Sequence, residues 1–434
     1  MNIITFFDFD WVFVMMFKKT IVALSLMAAV SGVQAATPTN EEMWALLQEL
    51  QQQMSAVQEQ NQQLKAENAS LKEKVDETQQ LAVEANESVE AVAVASEEAI
   101  MSANLSASKT TIGGYGELHY NNLSDQSDND KDKKEIDFHR FVLFFGHEFN
   151  DDLRFFSELE LEHAISGEDQ NGEIELEQAY IEYDLNDQHH VKGGLFLTPV
   201  GIINETHEPT TFYGTERNPV EKHIIPATWW AAGAMFSGEI AQGFSYDVAA
   251  TSGLNTSAAD SYKPRNGRQK VSKAEAEDFA YTGRIKWTAI PGVELAATLQ
   301  YQEDITQSND PTAGSATLFE THAAIEQGDF ALRALYANWD LQGDGPESIG
   351  ADQQNGWYIE PSYRINTYFG VFARYNDWDN AAGSSTESDY QQVDLGVNWW
   401  PHQDVVVKLD YQDQTAPSGK VELDGFNIGL GYQF

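Results

Sequence analysis

Ionisable side chains crowd the stretch from Pro199 to Thr228, among them Glu205, His207, Glu208, Arg217, Glu221, Lys222 and His223. Carboxylates, imidazoles and cations set this close together can relay protons or line a path for a charged solute. Proton relay in catalysis needs a partner set, and the sequence offers none. There is no Ser, His and Asp at workable spacing, no matched carboxylate pair, and no glycine-rich phosphate loop ahead of a helix. The reading is no enzyme and no cofactor. The same stretch carries Ile202, Ile203, Phe212, Tyr213, Ile224 and Ile225. A loop surrounded by water has no use for such a set. The expectation is a loop folded into a hollow body and narrowing it; capping the outside or gripping a neighbouring subunit are the alternatives.

Opposing charges would come from the wall of that body. Arg284, Lys286, Arg333, Arg364, Arg374 and Lys408 are spread over the second half of the chain, with Arg140 and Arg154 earlier. On one inner wall they would form a basic ladder that lowers the entry cost of anions and hands them from site to site. Glu158, Glu160 and Glu162 share an inward face, and Glu320, Glu360, Asp394 and Asp410 interrupt the basic side. A plainer reading stays open: inward charges hydrate a channel and pair across strands. Asp128, Asp130 and Asp132 start like a calcium loop, but Lys133 stands where the turn needs Gly and His139 where a bidentate Glu belongs, so no metal is expected. Lys263, Arg265, Arg268, Lys270 and Lys273 read as a flexible charged loop on the outer face, with gathering anions or touching lipopolysaccharide phosphates as the alternative.

The hollow body is legible in the periodicity. From Thr110 onward apolar residues recur every second position in sixteen segments: 111–121, 135–149, 152–163, 172–185, 189–198, 229–240, 243–254, 277–289, 292–304, 316–327, 329–340, 355–365, 368–378, 388–400, 403–415 and 421–434. Tight connections such as Asn150-Asp151 and Gln327-Gly328 alternate without a break with long polar ones, of which 199–228 is the longest. A soluble sandwich has no reason to put every long loop at one end of consecutive antiparallel strands, whereas an outer-membrane barrel does. Within segments the faces separate: Val393, Leu395, Val397 and Trp399 alternate with Gln392, Asp394 and Asn398. Segment 172–185 breaks the rule, because Glu175 and Glu177 share parity with Ile181 and Tyr183; a bulge or a protein contact would repair it. Trp287, Trp399, Trp400 and Phe434 are expected in an aromatic girdle at the short-turn end.

Ahead of the barrel, residues 1–35 end in a secretory signal: Lys18-Lys19, an apolar run, then Val33-Gln34-Ala35. Asp8 and Asp10 fit it badly, which suggests a start at Met16 or Met15; a single membrane helix over 11–30 is disfavoured by the two lysines in its middle. Residues 36–108 lack Gly and Pro after Thr39, and Met43, Leu50, Val57, Leu64 and Leu71 fall seven apart, as in a coiled-coil stalk. A solvated linker is the alternative. With 68 acidic against 26 basic residues and a net charge of −42, nucleic acid is excluded as a partner. The absence of cysteine rules out disulfides.

Three stretches carry a resemblance: Ile112-Gly113-Gly114-Tyr115-Gly116-Glu117-Leu118, the run FHRFVLFFGHEFNDDLRFFSELELEHA from Phe138, and GGLFLTPVG from Gly193 to Gly201. In that order they resemble the phosphate-selective porin O/P family, in its coiled-coil-bearing, dicarboxylate-porin-like form. The resemblance implies a trimeric sixteen-stranded channel for small anionic solutes, with the closing Phe434 similar to the aromatic tag read by barrel-assembly machinery. An acid-rich loop at 199–228 departs from the clustered cations expected of a phosphate-specific member.

The expected molecule is thus all-β: a sixteen-stranded antiparallel transmembrane barrel at 109–434, preceded by a helical coiled coil. It would act as a passive outer-membrane channel, a homotrimer in contact with lipid and lipopolysaccharide, with its N-terminal region in the periplasm. The rival is a structural tether reaching peptidoglycan through the stalk; an outer-membrane phospholipase is a distant third.

Overall fold

The computed structural model describes residues 109–434 apart from 128–130, 167–170 and 227, together with scattered positions between 41 and 74. Those scattered positions are helical and exposed, Trp44, Met54 and Leu71 among them. They belong to a separate unit, divided from the barrel between Leu105 and Ser106. The signal segment, most of the heptad column and the start of the calcium-like loop lie outside the described residues.

Sixteen strands follow: β1 (Thr110–Asp125), β2 (Lys133–Glu148), β3 (Leu153–Glu162), β4 (Ile174–Asn186), β5 (His189–Leu197), β6 (Trp230–Ala241), β7 (Phe244–Thr251), β8 (Ala280–Trp287), β9 (Val293–Gln302), β10 (Ala316–Gln327), β11 (Phe330–Leu341), β12 (Gln353–Arg364), β13 (Phe369–Asp379), β14 (Tyr390–His402), β15 (Val405–Thr415) and β16 (Leu423–Gln433). Each pairs antiparallel with its neighbours in sequence, and β16 pairs with β1 to close the barrel. Closure matters energetically, because an open edge would leave a row of backbone donors and acceptors without partners in lipid. Phe434 completes the seam by exchanging backbone hydrogen bonds with Gly114 at 2.9 and 3.0 Å.

Turn chemistry explains the short end. Asn150, Asn186 and Asn366 each accept backbone N–H bonds from residues two and three positions on, so the side chain stands in for one arm of a turn. Gly328, alone with Asp329 between β10 and β11, has φ +62°, a conformation that costs glycine nothing.

Alternation sorts the wall as the sequence predicts. Val393, Leu395 and Trp399 point outward and exposed, while Gln392, Asp394 and Asn398 are buried inward. On β16, Phe426, Ile428 and Leu430 are outward and Asn427 inward. The anomaly of β4 resolves as a bulge. Glu158 pairs with Gln178 but Leu159 pairs with Leu176, so Glu177 is an extra residue. Below it Glu175 faces inward, and above it Ile181 and Tyr183 face out. Trp400 is corrected: adjacent residues cannot both face lipid, and Trp400 lies inside, with the Arg364 guanidinium 3.6 Å from its ring.

Candidate functional site

The loop between β5 and β6, residues 198–229, lies inside the barrel. Asn204 ties its neck: the side-chain amide donates to Thr198 O at 2.7 Å and Trp229 O at 3.0 Å, and the side-chain oxygen accepts from Trp229 N at 2.6 Å. Beyond the neck, Val200, Ile202, Val220, Ile224 and Ile225 pack on Leu318, Leu335, Trp339, Tyr358 and Trp378 of β10–β13. The apolar residues that made an external loop implausible thus meet an inward apolar patch on one wall. Glu221, fully buried, organises this contact by accepting from Ile202 N, Ile203 N, Asn218 and the Tyr358 hydroxyl at 2.6–2.9 Å.

The loop's tip is fastened farther round. Thr215 N donates to Asp410 at 2.7 Å, Arg333 donates to Thr211 O at 2.8 Å, and Tyr213 packs against Phe372 and Trp400. Glu205 pairs with Arg284, and His207 sits 3.4 Å from both Glu158 and Glu177. Burial opposes a charge on His207, yet the two carboxylates overcome it and raise its pKa to about 10. Glu208 is half-buried, and its carbonyl accepts from Thr211 N.

The cations singled out in the sequence are not strung along one open wall. Arg140, Arg284, Arg374 and Lys408 are each at most 5 % exposed. Arg140 meets Glu117 at 2.7 Å, Arg284 is held by Asp247 and Glu205, and Arg374 lies between Glu360 at 3.2 Å and Asp394 at 3.0 Å. Lys408 Nζ lies 3.6 Å from the Phe212 ring and makes no hydrogen bond among the described residues. Arg154 pairs with Glu182 and Asp184 near the short-turn end, and Lys286 faces Glu294 at 3.8 Å. Arg333 and Arg364 line a cavity of about 290 Å³ between the loop tip and the short-turn end of β10–β14.

The other opening is a cavity of about 300 Å³ between the loop and β1–β4, and the sequence reading did not foresee its composition. Arg217 and Lys222 reach it from the loop, and burial lowers the pKa of both. They are joined by Arg265, Arg268 and Lys270, because the loop 252–279 also turns inward. Arg265 donates to Lys222 O at 3.1 Å and Arg268 to Thr228 O, while Lys270 pairs with Glu173 and Glu175. Burial, and then repulsion from Arg268, lowers Arg265 to about 9. Only Lys263 and Lys273 of that basic run are exposed. The signal for the inward turn was present in Leu254 and Tyr262, which are buried in the same apolar cluster. Facing these cations are Glu117, Glu162, Glu173 and Glu175, with Glu216 on the loop and His119, His139 and His163 on the wall side.

Comparison with known proteins follows the same outline. The family described as phosphate-selective porin O and P matches residues 111–434. An uncharacterized protein of Aquifex aeolicus is 30 % identical over 340 residues, 69 % of this chain and 74 % of that relative. Among solved structures, the chain is similar to OmpF of Salmonella typhi in complex with daunomycin, at 13 % identity and TM-score 0.56, covering 75 % of this chain and 97 % of that one. It is similar to the anion-selective porin of Comamonas acidovorans at 12 % identity and TM-score 0.54, covering 76 % and 100 %. The outer membrane channel DcaP of Acinetobacter baumannii gives 15 % identity and TM-score 0.52, covering 75 % and 97 %. At such identities these structures speak for the fold alone.

Proposed function

The chain belongs to the phosphate-selective porin O and P family, an outer-membrane porin and a channel rather than an enzyme, and from that premise we propose that it passes small anions between its two inward loops and β1–β4. The observation that carries this reading is the cluster of cations in the 300 Å³ cavity, where Arg217, Lys222, Arg265 and Arg268 outnumber Glu216 on the side of the two inward loops. Cations held in partly desolvated positions create a positive potential that an entering anion feels before it sheds water. Glu117, Glu162 and Glu175 opposite them limit how tightly an anion is held, which suits passage more than retention. Small dicarboxylates or phosphate fit that charge; the anion selectivity stated for the Comamonas protein belongs to a structure of the same fold. Arg333 and Arg364 would receive the solute past the loop tip.

The long loops would face outward and the N-terminal region the periplasm. The exposed helical positions Trp44, Met54 and Leu71 support a stalk that self-associates, since such side chains on a lone helix would stay in water. A homotrimer is the assembly that the family resemblance and the heptads favour together. The same stalk supports the second reading, a tether to peptidoglycan. Planar-bilayer recording tests the channel: stepwise conductance with a reversal potential on the anion side in a salt gradient is expected. An electrically silent protein, or a cation-side potential, would refute it.

A further inference from the structure

Where β2 and β3 reach the long-loop end, Asp137, His139 and His163 meet on the lumen wall. His139 Nδ1 lies 3.1 Å from Asp137 Oδ2, and His163 Nδ1 lies 2.8 Å from the same oxygen. The two imidazoles stand nearly perpendicular, 5.4 Å between centroids. All three ligand-type atoms fall within 4.8 Å of one another.

Two departures from regular structure build this cluster. Glu117 pairs with Arg140 whereas His119 pairs with Asp137, so β2 carries an extra residue and turns both His139 and Arg140 inward. Past the end of β3, His163 and Ala164 adopt left-handed φ of +49° and +46°. His163 N then donates to His139 O at 3.0 Å, and the imidazole swings back over Asp137. His119 stacks on His139 at 4.7 Å and fixes the plane of that ring, while its own nitrogens face Glu117 and Glu216. The side chains of His139, His163 and Asp137 retain 26 %, 35 % and 20 % exposure, and both imidazoles line the cavity.

We propose that Asp137, His139 and His163 bind a first-row divalent transition-metal ion of the zinc type in the wall of the passage. Two imidazole nitrogens and one carboxylate oxygen suit Zn, Ni, Cu or Fe and do not suit Mg or Ca, which take oxygen ligands. Ligand atoms set about 2.0–2.2 Å from one ion lie roughly 3 Å apart, which matches the two nitrogen-to-oxygen separations here. Three protein ligands leave the remaining positions to water from the cavity, so the ion exchanges with the lumen. Each imidazole binds through Nδ1, and a proton held there is released to solvent on binding. The inference does not depend on which solute the channel carries.

Isothermal titration of the purified full chain with zinc chloride tests it, with magnesium chloride present in excess to occupy nonspecific acidic surface. The expected result is one saturable Zn²⁺ per chain, unaffected by Mg²⁺, weakened at least tenfold by Asp137→Asn and by His163→Asn. Asparagine tolerates the left-handed backbone at 163, and retention of the β-sheet circular dichroism signal shows that each variant has folded; if one has not, His139→Gln supplies the second reading. Absence of a saturable site, equal displacement by Mg²⁺, or unchanged affinity in folded variants would overturn the proposal.

Discussion

On the β10–β13 side of the barrel the inward loop seals against the wall through an apolar cluster; on the β1–β4 side it meets the wall through polar contacts of His207 and Glu216 and leaves a cavity beside them. Both walls present alternating inward charges, yet these charges end in different roles. Beyond the seal, Arg374 is enclosed between Glu360 and Asp394, and such a charge serves structure, because its neighbours would be left buried and unpaired without it. Beside the cavity, Arg217, Lys222 and Arg268 remain half-buried around open space. The role of an inward cation is set by where the loop lies, and that in turn by where the wall offers Leu318, Leu335 and Trp339 to its isoleucines.

Breaking the seal should have the largest effect. Glu221→Ala leaves four donors without an acceptor, each costing about 1–3 kcal/mol when buried. The loop should come away from β10–β13, and single-channel conductance should rise with added open-state noise. Next, Arg374→Leu takes the cation from between two buried carboxylates, Glu360 and Asp394, a loss of about 3–5 kcal/mol. Thermal unfolding of the purified barrel should fall, with the reversal potential unchanged. The converse variant sharpens the contrast: Arg265→Gln with Arg268→Gln should leave unfolding close to wild type but move the reversal potential toward cations.

The smallest effect is the pH response of the loop's near edge. His207 has a raised pKa in the folded protein, so its attachment to Glu158 and Glu177 is at full strength below about 6.5, the free imidazole value. It weakens progressively as pH climbs through about 10. Open-channel noise should grow over that window in the wild type, and His207→Gln should remove the pH dependence.

The barrel was legible because each strand carries its own period and each connection its own length. Segment 316–327 matches β10 to the residue. The inward course of 198–229 was legible too, since its apolar residues needed a wall. What the sequence hid depends on register. That Arg284 meets Asp247 and Glu205, or Arg374 meets Glu360, follows from which strands lie side by side and from the course of a distant loop, and a list of inward cations cannot display it. The bulges at Glu177 and near His139 shift parity by a single residue, which periodicity averages away. The inward turn of 252–279 was masked by its lysines and arginines, although Leu254 and Tyr262 anchor it.

Because the chain has no cysteine, single thiols can be placed on either side of the loop and probed with a charged methanethiosulfonate reagent during bilayer recording. Arg268→Cys should react promptly and change the conductance, and Lys408→Cys, sealed behind Phe212, should stay silent. Rapid modification at position 408 with none at 268 would place the passage behind Phe212 and not in the cavity lined by Arg268, and would contradict the account.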